Sequence, residues 1–74
     1  GLRVLELNYL SRLQSIRAIG NTQLEDIEFE SCPKVGDWGV LGELPTLRSL
    51  SVLHCGEVPK LKTFGSLTRF RYLP

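Results

Sequence analysis

The chain has 74 residues and a formal net charge of +1 at pH 7. A near-neutral charge argues against a strong nucleic-acid-binding protein, and no apolar run is long enough to cross a bilayer, so we expect no membrane insertion. Two cysteines and one histidine are too few for a disulfide scaffold or a zinc site, and we expect no cofactor. Because the chain begins with glycine rather than methionine, we expect it to be part of a longer protein.

A leucine-led segment at residues 2–10, LRVLELNYL, opens the chain. Its apolar and polar residues alternate, which predicts a short β-strand with Leu5 and Leu7 on the buried face. The apolar residues after this segment recur at every third position. They are Leu13, Ile16 and Ile19. This period differs from that of an α-helix and predicts tight 3₁₀-like or polyproline turns.

The same pattern returns twice in the middle of the chain, as LEDIEFESC at residues 24–32 and LRSLSVLHC at residues 47–55. Each copy is again followed by apolar residues at every third position. They are Val35, Trp38, Leu41 and Leu44 after the first copy, and Val58, Leu61, Phe64 and Leu67 after the second. Prolines and glycines within these stretches disfavour a regular α-helix. We therefore expect Trp38 to pack in the core or at its rim rather than to stack on a ligand.

A truncated copy, LTRFRYLP at residues 67–74, ends the chain. The leading leucines of the four copies are separated by 22, 23 and 20 residues. They are Leu2, Leu24, Leu47 and Leu67. This spacing and the shared pattern LxxLxLxxN/C are typical of leucine-rich repeats, in which stacked copies bury a continuous core. At the position that usually holds Asn or Cys, the chain has Leu10, Cys32 and Cys55.

On these residues the whole chain resembles a leucine-rich-repeat protein. LEDIEFESCPKV at residues 24–35 resembles segments in the repeat domains of plant nucleotide-binding immune receptors. LRSLSVLHCGEVPKLKTFGSL at residues 47–67 is more similar to repeats of bacterial leucine-rich-repeat proteins, and we favour the bacterial placement slightly. Leu10 departs from the family pattern, and no copy matches the long helical unit of ribonuclease-inhibitor-type repeats.

The resemblance implies an α/β-type solenoid of mostly short parallel β-strands joined by irregular or 3₁₀ turns. Such a chain would form a leucine-rich-repeat right-handed superhelix of about three coils. The repeats would lie near residues 2–23, 24–46, 47–66 and, in part, 67–74. The resemblance also implies a curved surface that recognises proteins, and it implies no catalytic activity.

Strand alternation predicts a set of solvent-facing side chains on the concave side of the sheet. Its first half is acidic, with Glu6 beside Glu28, and its last half is basic, with Arg69 and Arg71. The candidate partner-binding residues are Glu6, Asn8, Asp26, Glu28, Glu30, Ser51, Leu53, His54, Arg69 and Arg71. Since adjacent like charges destabilise a sheet, they indicate a binding strip for an oppositely charged partner. The alternative, which the residues leave open, is a solvated face whose charges maintain solubility.

The two cysteines occupy equivalent positions in neighbouring copies. We expect Cys32 and Cys55 to be buried, reduced thiols that hydrogen-bond to the backbone. A disulfide between them stays an alternative, because equivalent positions of stacked copies approach bonding distance. His54 is not expected to form a catalytic dyad with Cys55, since neighbouring strand residues point to opposite faces.

The function that these residues favour is a protein–protein interaction module that binds a partner through the concave strand face. The alternative is a purely architectural repeat segment of a larger sensor or effector protein, and a third hypothesis is a segment attached to an enzymatic domain. We expect no enzyme activity within the chain, because no nucleotide-binding loop, nucleophile elbow or zinc spacing occurs in it. The expected partner is a protein rather than a nucleic acid or a small molecule, and the expected location is the cytoplasm.

Overall fold

Four short strands form one parallel β-sheet in the computed structural model of the chain, which describes residues 1–61 and 67–74. Strand β1 spans Val4–Asn8, β2 Asp26–Glu30, β3 Ser49–Leu53 and β4 Arg69–Leu73. Their order in the sheet is their order in the chain, and each strand pairs in parallel with the next. Parallel neighbours require crossover connections, so the chain returns to the starting end of the sheet between successive strands.

The pairing of the strands aligns the four sequence copies position by position. Each strand begins two residues after a leading leucine. The successive partners at one inner position are Leu5, Ile27, Leu50 and Phe70. A shift of one residue would exchange the buried and exposed faces of a strand. The predicted register is therefore confirmed, and the fold is a small, repeat-like arrangement of parallel strands and tight turns.

Tight turns rather than α-helices connect the strands wherever the structure describes the chain. One 3₁₀ helix spans Arg17–Asn21 before β2, and a second spans Trp38–Glu43 before β3. Residues of the three-residue period line the inner side of these connections: Ile16, Val35, Trp38, Leu41 and Leu44 are buried, and Leu13, Ile19, Val58, Leu61 and Leu67 are partly buried. Phe64, which continues the period, lies outside the described residues. No helix in the described ranges is long and apolar enough to span a membrane.

The core lies between the inner face of the sheet and these turns. Its centre consists of Ile27, Phe29, Leu50 and Val52, which are fully shielded from solvent. Trp38 reaches this centre from the second 3₁₀ helix and meets Phe29 edge-to-face, with the ring centroids 5.0 Å apart. Such a contact stabilises by about 0.5–1.5 kcal/mol beyond the area that it buries. Trp38 is only 3% exposed, so its predicted packing role is confirmed.

Both cysteines are buried, unlinked thiols that follow β2 and β3. The Cys32 thiol donates a hydrogen bond to the Leu7 carbonyl at 3.3 Å, and the Cys55 thiol donates one to the Leu53 carbonyl at 3.3 Å. The Cys32 N–H in turn donates to the Cys55 Sγ at 3.3 Å. The predicted buried and reduced state is confirmed. Burial raises the pKa of the Cys55 thiol, and a thiol held protonated reacts slowly.

Each of the first three strands is followed by a residue with a left-handed backbone conformation. Tyr9, Ser31 and His54 have φ values of 59°, 55° and 56°. Their N–H groups still donate to the neighbouring strand, at 2.7, 2.9 and 2.6 Å, so the turn begins without loss of a ladder hydrogen bond. The prediction that strand alternation separates His54 from Cys55 is wrong in its reason, because His54 lies in this turn. The turn itself leaves His54 exposed and directs Cys55 into the core.

A polar contact joins the first turn connection to the second. The Asp37 carboxylate accepts hydrogen bonds from the Ile16 N–H at 3.0 Å and from the Ser15 hydroxyl at 2.9 Å. Partial burial raises the pKa of Asp37, but these hydrogen bonds outweigh it and lower the pKa below its ordinary value of 3.8. The bonded residues are 21 and 22 positions apart, so this contact holds one connection against the next.

Candidate functional site

The strand side chains that point away from the core form one surface, which we call the outer face. Its three rows across the sheet follow from the register. They are Val4, Asp26, Ser49 and Arg69; Glu6, Glu28, Ser51 and Arg71; and Asn8, Glu30, Leu53 and Leu73. Neighbouring strands lie about 4.8 Å apart, so adjacent side chains of one row are within reach of one another. The outer face brings together all the predicted partner-binding residues except His54, which follows β3 at its edge.

The acidic half of the outer face lies on β1 and β2. Glu6 and Glu28 are register partners, and Asp26 and Glu30 flank Glu28 along β2. Glu6 is exposed, whereas the three carboxylates of β2 are half-buried. In the part of the chain that the structure describes, no basic side chain lies within salt-bridge distance of these four carboxylates. Like charges at paired positions destabilise a sheet, so the negative charge is a cost to folding that remains available to a partner.

A tyrosine stands at the rim of the acidic half. The Tyr9 hydroxyl donates a hydrogen bond to the Glu30 Oε2 at 2.9 Å. This bond, followed by the negative charge of Glu30, raises the pKa of Tyr9 above its ordinary value of 10.0. Tyr9 is 69% exposed, so its ring is accessible beside the carboxylates. Tyr9 is absent from the predicted site, and the signal that could have indicated it is its position directly after Asn8, at the end of β1.

The basic half of the outer face lies on β4. Arg69 and Arg71 are both exposed, and neither has an acidic group within salt-bridge distance among the described residues. Leu73, which is 52% exposed, completes this edge of the face. From β2 to β4 the charge of the outer face therefore changes from negative to positive over two strand spacings, roughly 10 Å.

The middle of the outer face differs from the prediction at Ser51. This residue is 8% exposed, so it does not present an accessible side chain to a partner as predicted. Its register partners Glu28 and Arg71 have much longer side chains, and the serine between them forms the floor of the face. Ser49 and Leu53 are half-buried and His54 is exposed, so these three residues are more accessible than Ser51.

The outer face offers charge, hydrogen-bonding groups and apolar area rather than a cluster of reactive groups. Among the residues that the structure describes, no group of three or more His, Cys, Asp or Glu side chains is arranged to hold a metal ion. Comparison with protein-family models, curated protein sequences and solved structures finds no significant match to this chain. The candidate function therefore rests on the geometry and charge of the outer face.

Proposed function

We propose that this chain is a leucine-rich-repeat segment that binds another protein through the outer face. In this proposal the sheet is the concave wall of a right-handed solenoid of about three coils. The in-register parallel strands, the tight turns with an apolar residue at every third position, and the core between strands and turns support it. The observation that carries the proposal is the charge of the outer face. It has opposite signs at the two ends and no ionic partner within the described chain.

The charge pattern favours a protein partner over a nucleic acid. The carboxylates of β1 and β2 would repel a phosphate backbone, to which nucleic-acid-binding proteins present mainly Lys and Arg. A protein with basic groups opposite Glu6 and Glu28 and acidic groups opposite Arg69 and Arg71 would complement both halves. Complementary charges of this kind chiefly raise the rate of association and select among partners.

The size of the outer face limits what it contributes alone. Three strand spacings and five residues along each strand span roughly 15 Å by 16 Å. A stable interface buries about 800 Å² on each partner, so this face would supply the charged centre of a larger contact or support a weak one. Leu53 in its middle and Tyr9 at its rim offer the apolar area that the most important contact residues of an interface use.

The proposal assigns no catalytic step to these residues. Recognition needs only that the charged groups keep their positions, which the paired strands beneath them provide. A cytoplasmic location fits the proposal, because both buried thiols are unlinked and the cytosol keeps thiols reduced.

The test uses a lysate of the cells in which the protein naturally occurs. It compares the proteins captured by the wild-type chain with those captured by two charge-reversal variants. Glu28→Lys with Glu30→Lys reverses two charges on the outer face. Glu43→Lys with Glu57→Lys reverses the same number of charges at exposed positions outside it. We expect a protein that binds the wild type and the Glu43/Glu57 control but binds the outer-face variant weakly.

The kinetics of binding to that protein sharpen the test. The outer-face variant should associate more slowly and with a changed salt dependence, whereas Leu53→Ala should dissociate faster. Circular dichroism must show that every variant remains folded. A partner that is lost with the control but kept by the outer-face variant would move the binding surface to the turn side. Partners that are indifferent to both variants would favour the purely architectural segment.

A further inference from the structure

The outer face contains a shallow trough along β3, between an acidic wall on β2 and a basic wall on β4. Its floor consists of Ser49 and Ser51, its acidic wall of Asp26, Glu28 and Glu30, and its basic wall of Arg69 and Arg71. The backbones of the two walls are two strand spacings apart, roughly 10 Å. Because β2 and β3 each have a described strand on both sides, the trough does not depend on what lies beside β1 or beyond β4.

The floor of the trough presents a hydroxyl group without a partner. Ser51 is only 8% exposed, and its hydroxyl has no hydrogen bond among the described residues. In the described part of the chain, every side-chain N or O atom that is shut off from solvent has a partner. The Ser51 oxygen therefore reaches the surface, and strand alternation directs it into the trough. A ligand that covers this oxygen must hydrogen-bond to it, because an enclosed polar group without a partner is costly.

The acidic wall carries charge that its neighbours in the sheet do not neutralise. The register partners of its three carboxylates are neutral or acidic. They are Val4, Glu6 and Asn8 on β1, and Ser49, Ser51 and Leu53 on β3. Among the described residues no basic side chain lies within salt-bridge distance of this wall. The wall is half-buried, so a cation that meets it is better shielded from water than on an open surface, and the attraction is stronger.

The spacing of the carboxylates indicates the shape of the ligand. They occupy alternate positions of one strand, about 6.6 Å apart. No group of acidic side chains in the described ranges is arranged to hold a single metal ion. An extended peptide with basic residues at alternate positions has cationic groups at the same spacing. An α-helix is about 10–12 Å across, as wide as the trough, so it would rest on the walls without reaching Ser51.

The two walls together determine which sequence such a peptide needs. Successive side chains of an extended segment point in opposite directions. A segment lying lengthwise in the trough would direct every second side chain to the carboxylates of β2 and the others to Arg69 and Arg71. Basic residues complement the first wall and acidic residues the second, whereas basic residues on both sides would meet like charge. The backbone N–H and C=O groups of the segment would then face the floor, where the Ser51 hydroxyl can bond to them.

We propose that the trough binds an extended segment of the partner protein in which basic and acidic residues alternate. The basic side chains pair with Asp26, Glu28 and Glu30, and the acidic side chains pair with Arg69 and Arg71. This inference rests on the partner-binding function proposed above, to which it adds the conformation and the charge pattern of the bound segment.

Fluorescence anisotropy with two labelled synthetic peptides tests the proposal. Both peptides have about eight residues, enough to span a strand of the sheet, and the same numbers of lysines and glutamates. In one peptide the two residues alternate, and in the other a block of glutamates precedes a block of lysines, an order that favours a helix. We expect the alternating peptide to bind the wild-type chain about tenfold more tightly, because only its charges match both walls.

Three variants of the chain locate the binding. Glu28→Lys reverses the charge at the centre of the acidic wall, and Ser51→Leu fills the trough without a change of charge. Each should weaken binding of the alternating peptide about tenfold. Glu43→Lys makes the same charge change at an exposed position outside the outer face and should leave the affinity unchanged. Circular dichroism shows whether each variant is folded, and if Ser51→Leu is not, Glu28→Lys and its control still decide the outcome.

The outcomes separate this inference from the proposed function. Equal binding of the two peptides, or equal effects of Glu28→Lys and Glu43→Lys, would overturn the inference. Tighter binding of the block peptide would overturn it in favour of a helical segment. A wild-type chain that captures a protein through the outer face but does not bind the alternating peptide would also overturn it, and would leave the proposed function standing.

Discussion

The middle strands β2 and β3 and the edge strands β1 and β4 share one sequence pattern, but their equivalent side chains are buried to different extents. Leu50 of β3 is fully buried, whereas Leu5, at the equivalent position of β1, is half-buried. Phe70, at the same position of β4, is 41% exposed. All three side chains are large and apolar, so the difference comes from the number of neighbouring strands. Among the described residues that number is two for β3 and one for β1 and for β4. Burial in this fold is therefore a property of position in the sheet.

On the outer face, by contrast, the residue type itself changes from one copy to the next. Along one row the residue type changes from Glu28 through Ser51 to Arg71, while the inner positions beside them stay apolar. Packing does not restrict the outer positions, because they face away from the core. The copies can therefore differ at these positions without disturbing the core.

The largest expected effect is a loss of stability that differs between the middle strand β3 and the edge strand β1. Leu50→Ala should lower the free energy of unfolding by about 2–5 kcal/mol, because it leaves a cavity in the closed part of the core. Leu5→Ala, at the equivalent position with one neighbouring strand, should cost no more than about half as much. Urea unfolding of the two variants measures the difference. Equal costs would mean that burial does not depend on the number of neighbouring strands.

A smaller effect is expected where the backbone conformation, rather than the core, limits the choice of residue. Ser31→Val places a β-branched side chain at a φ of 55° and should cost about 1–2 kcal/mol, because this backbone region is strained for L-residues. His54→Val should cost a similar amount, since its φ is 56°. The matched controls Ser31→Gly and His54→Gly should be near neutral. If the glycine variants are as unstable as the valine variants, the loss of stability comes from removing the native side chain and not from backbone strain.

The Asp37 contact joins the turn connection between β1 and β2 to the one between β2 and β3. Its pKa is lower in the folded state, so its contribution is present above the ordinary value of 3.8 and is lost as the pH falls through the folded pKa. Asp37→Asn should therefore unfold more easily than the wild type at neutral pH, by about 1 kcal/mol. The two should converge once the pH falls below the folded pKa of Asp37. Unfolding at neutral and acidic pH measures this, with Ser15→Ala as a control that keeps the carboxylate. A constant difference at all pH values would contradict the assignment.

The smallest effect is expected at the rim of the outer face, and it is a change in a pKa rather than in the stability of the fold. Glu30→Gln should bring the pKa of Tyr9 back toward 10.0, since the hydrogen bond to a negative carboxylate raises it. Ultraviolet absorbance of the tyrosinate, taken as the difference from a Tyr9→Phe variant, measures this pKa. An unchanged pKa in Glu30→Gln would show that the two side chains are not in contact in solution.

Sequence analysis predicts the periodic features because they depend on spacing along the chain. The alternation at Leu5 and Leu7 indicates a strand, and the three-residue period through Trp38 indicates tight turns. The repeat then aligns the strands, and the outer face follows from that register. Ser51 shows the limit of this reasoning. Alternation places it on the correct face, but the length of the neighbouring side chains decides whether it is accessible.

Other contacts depend on geometry that no local pattern contains. The bond from Tyr9 to Glu30 and the contacts of Asp37 join residues 21 or 22 positions apart, and the left-handed turn at His54 arises where a strand leaves the sheet. The sequence by itself determined the strands, the turns and which side chains share a face, because these follow from spacing. Only the tertiary structure decided which of the inner side chains are fully buried. An apolar side chain in such a sheet is covered by its neighbours and not by its own copy.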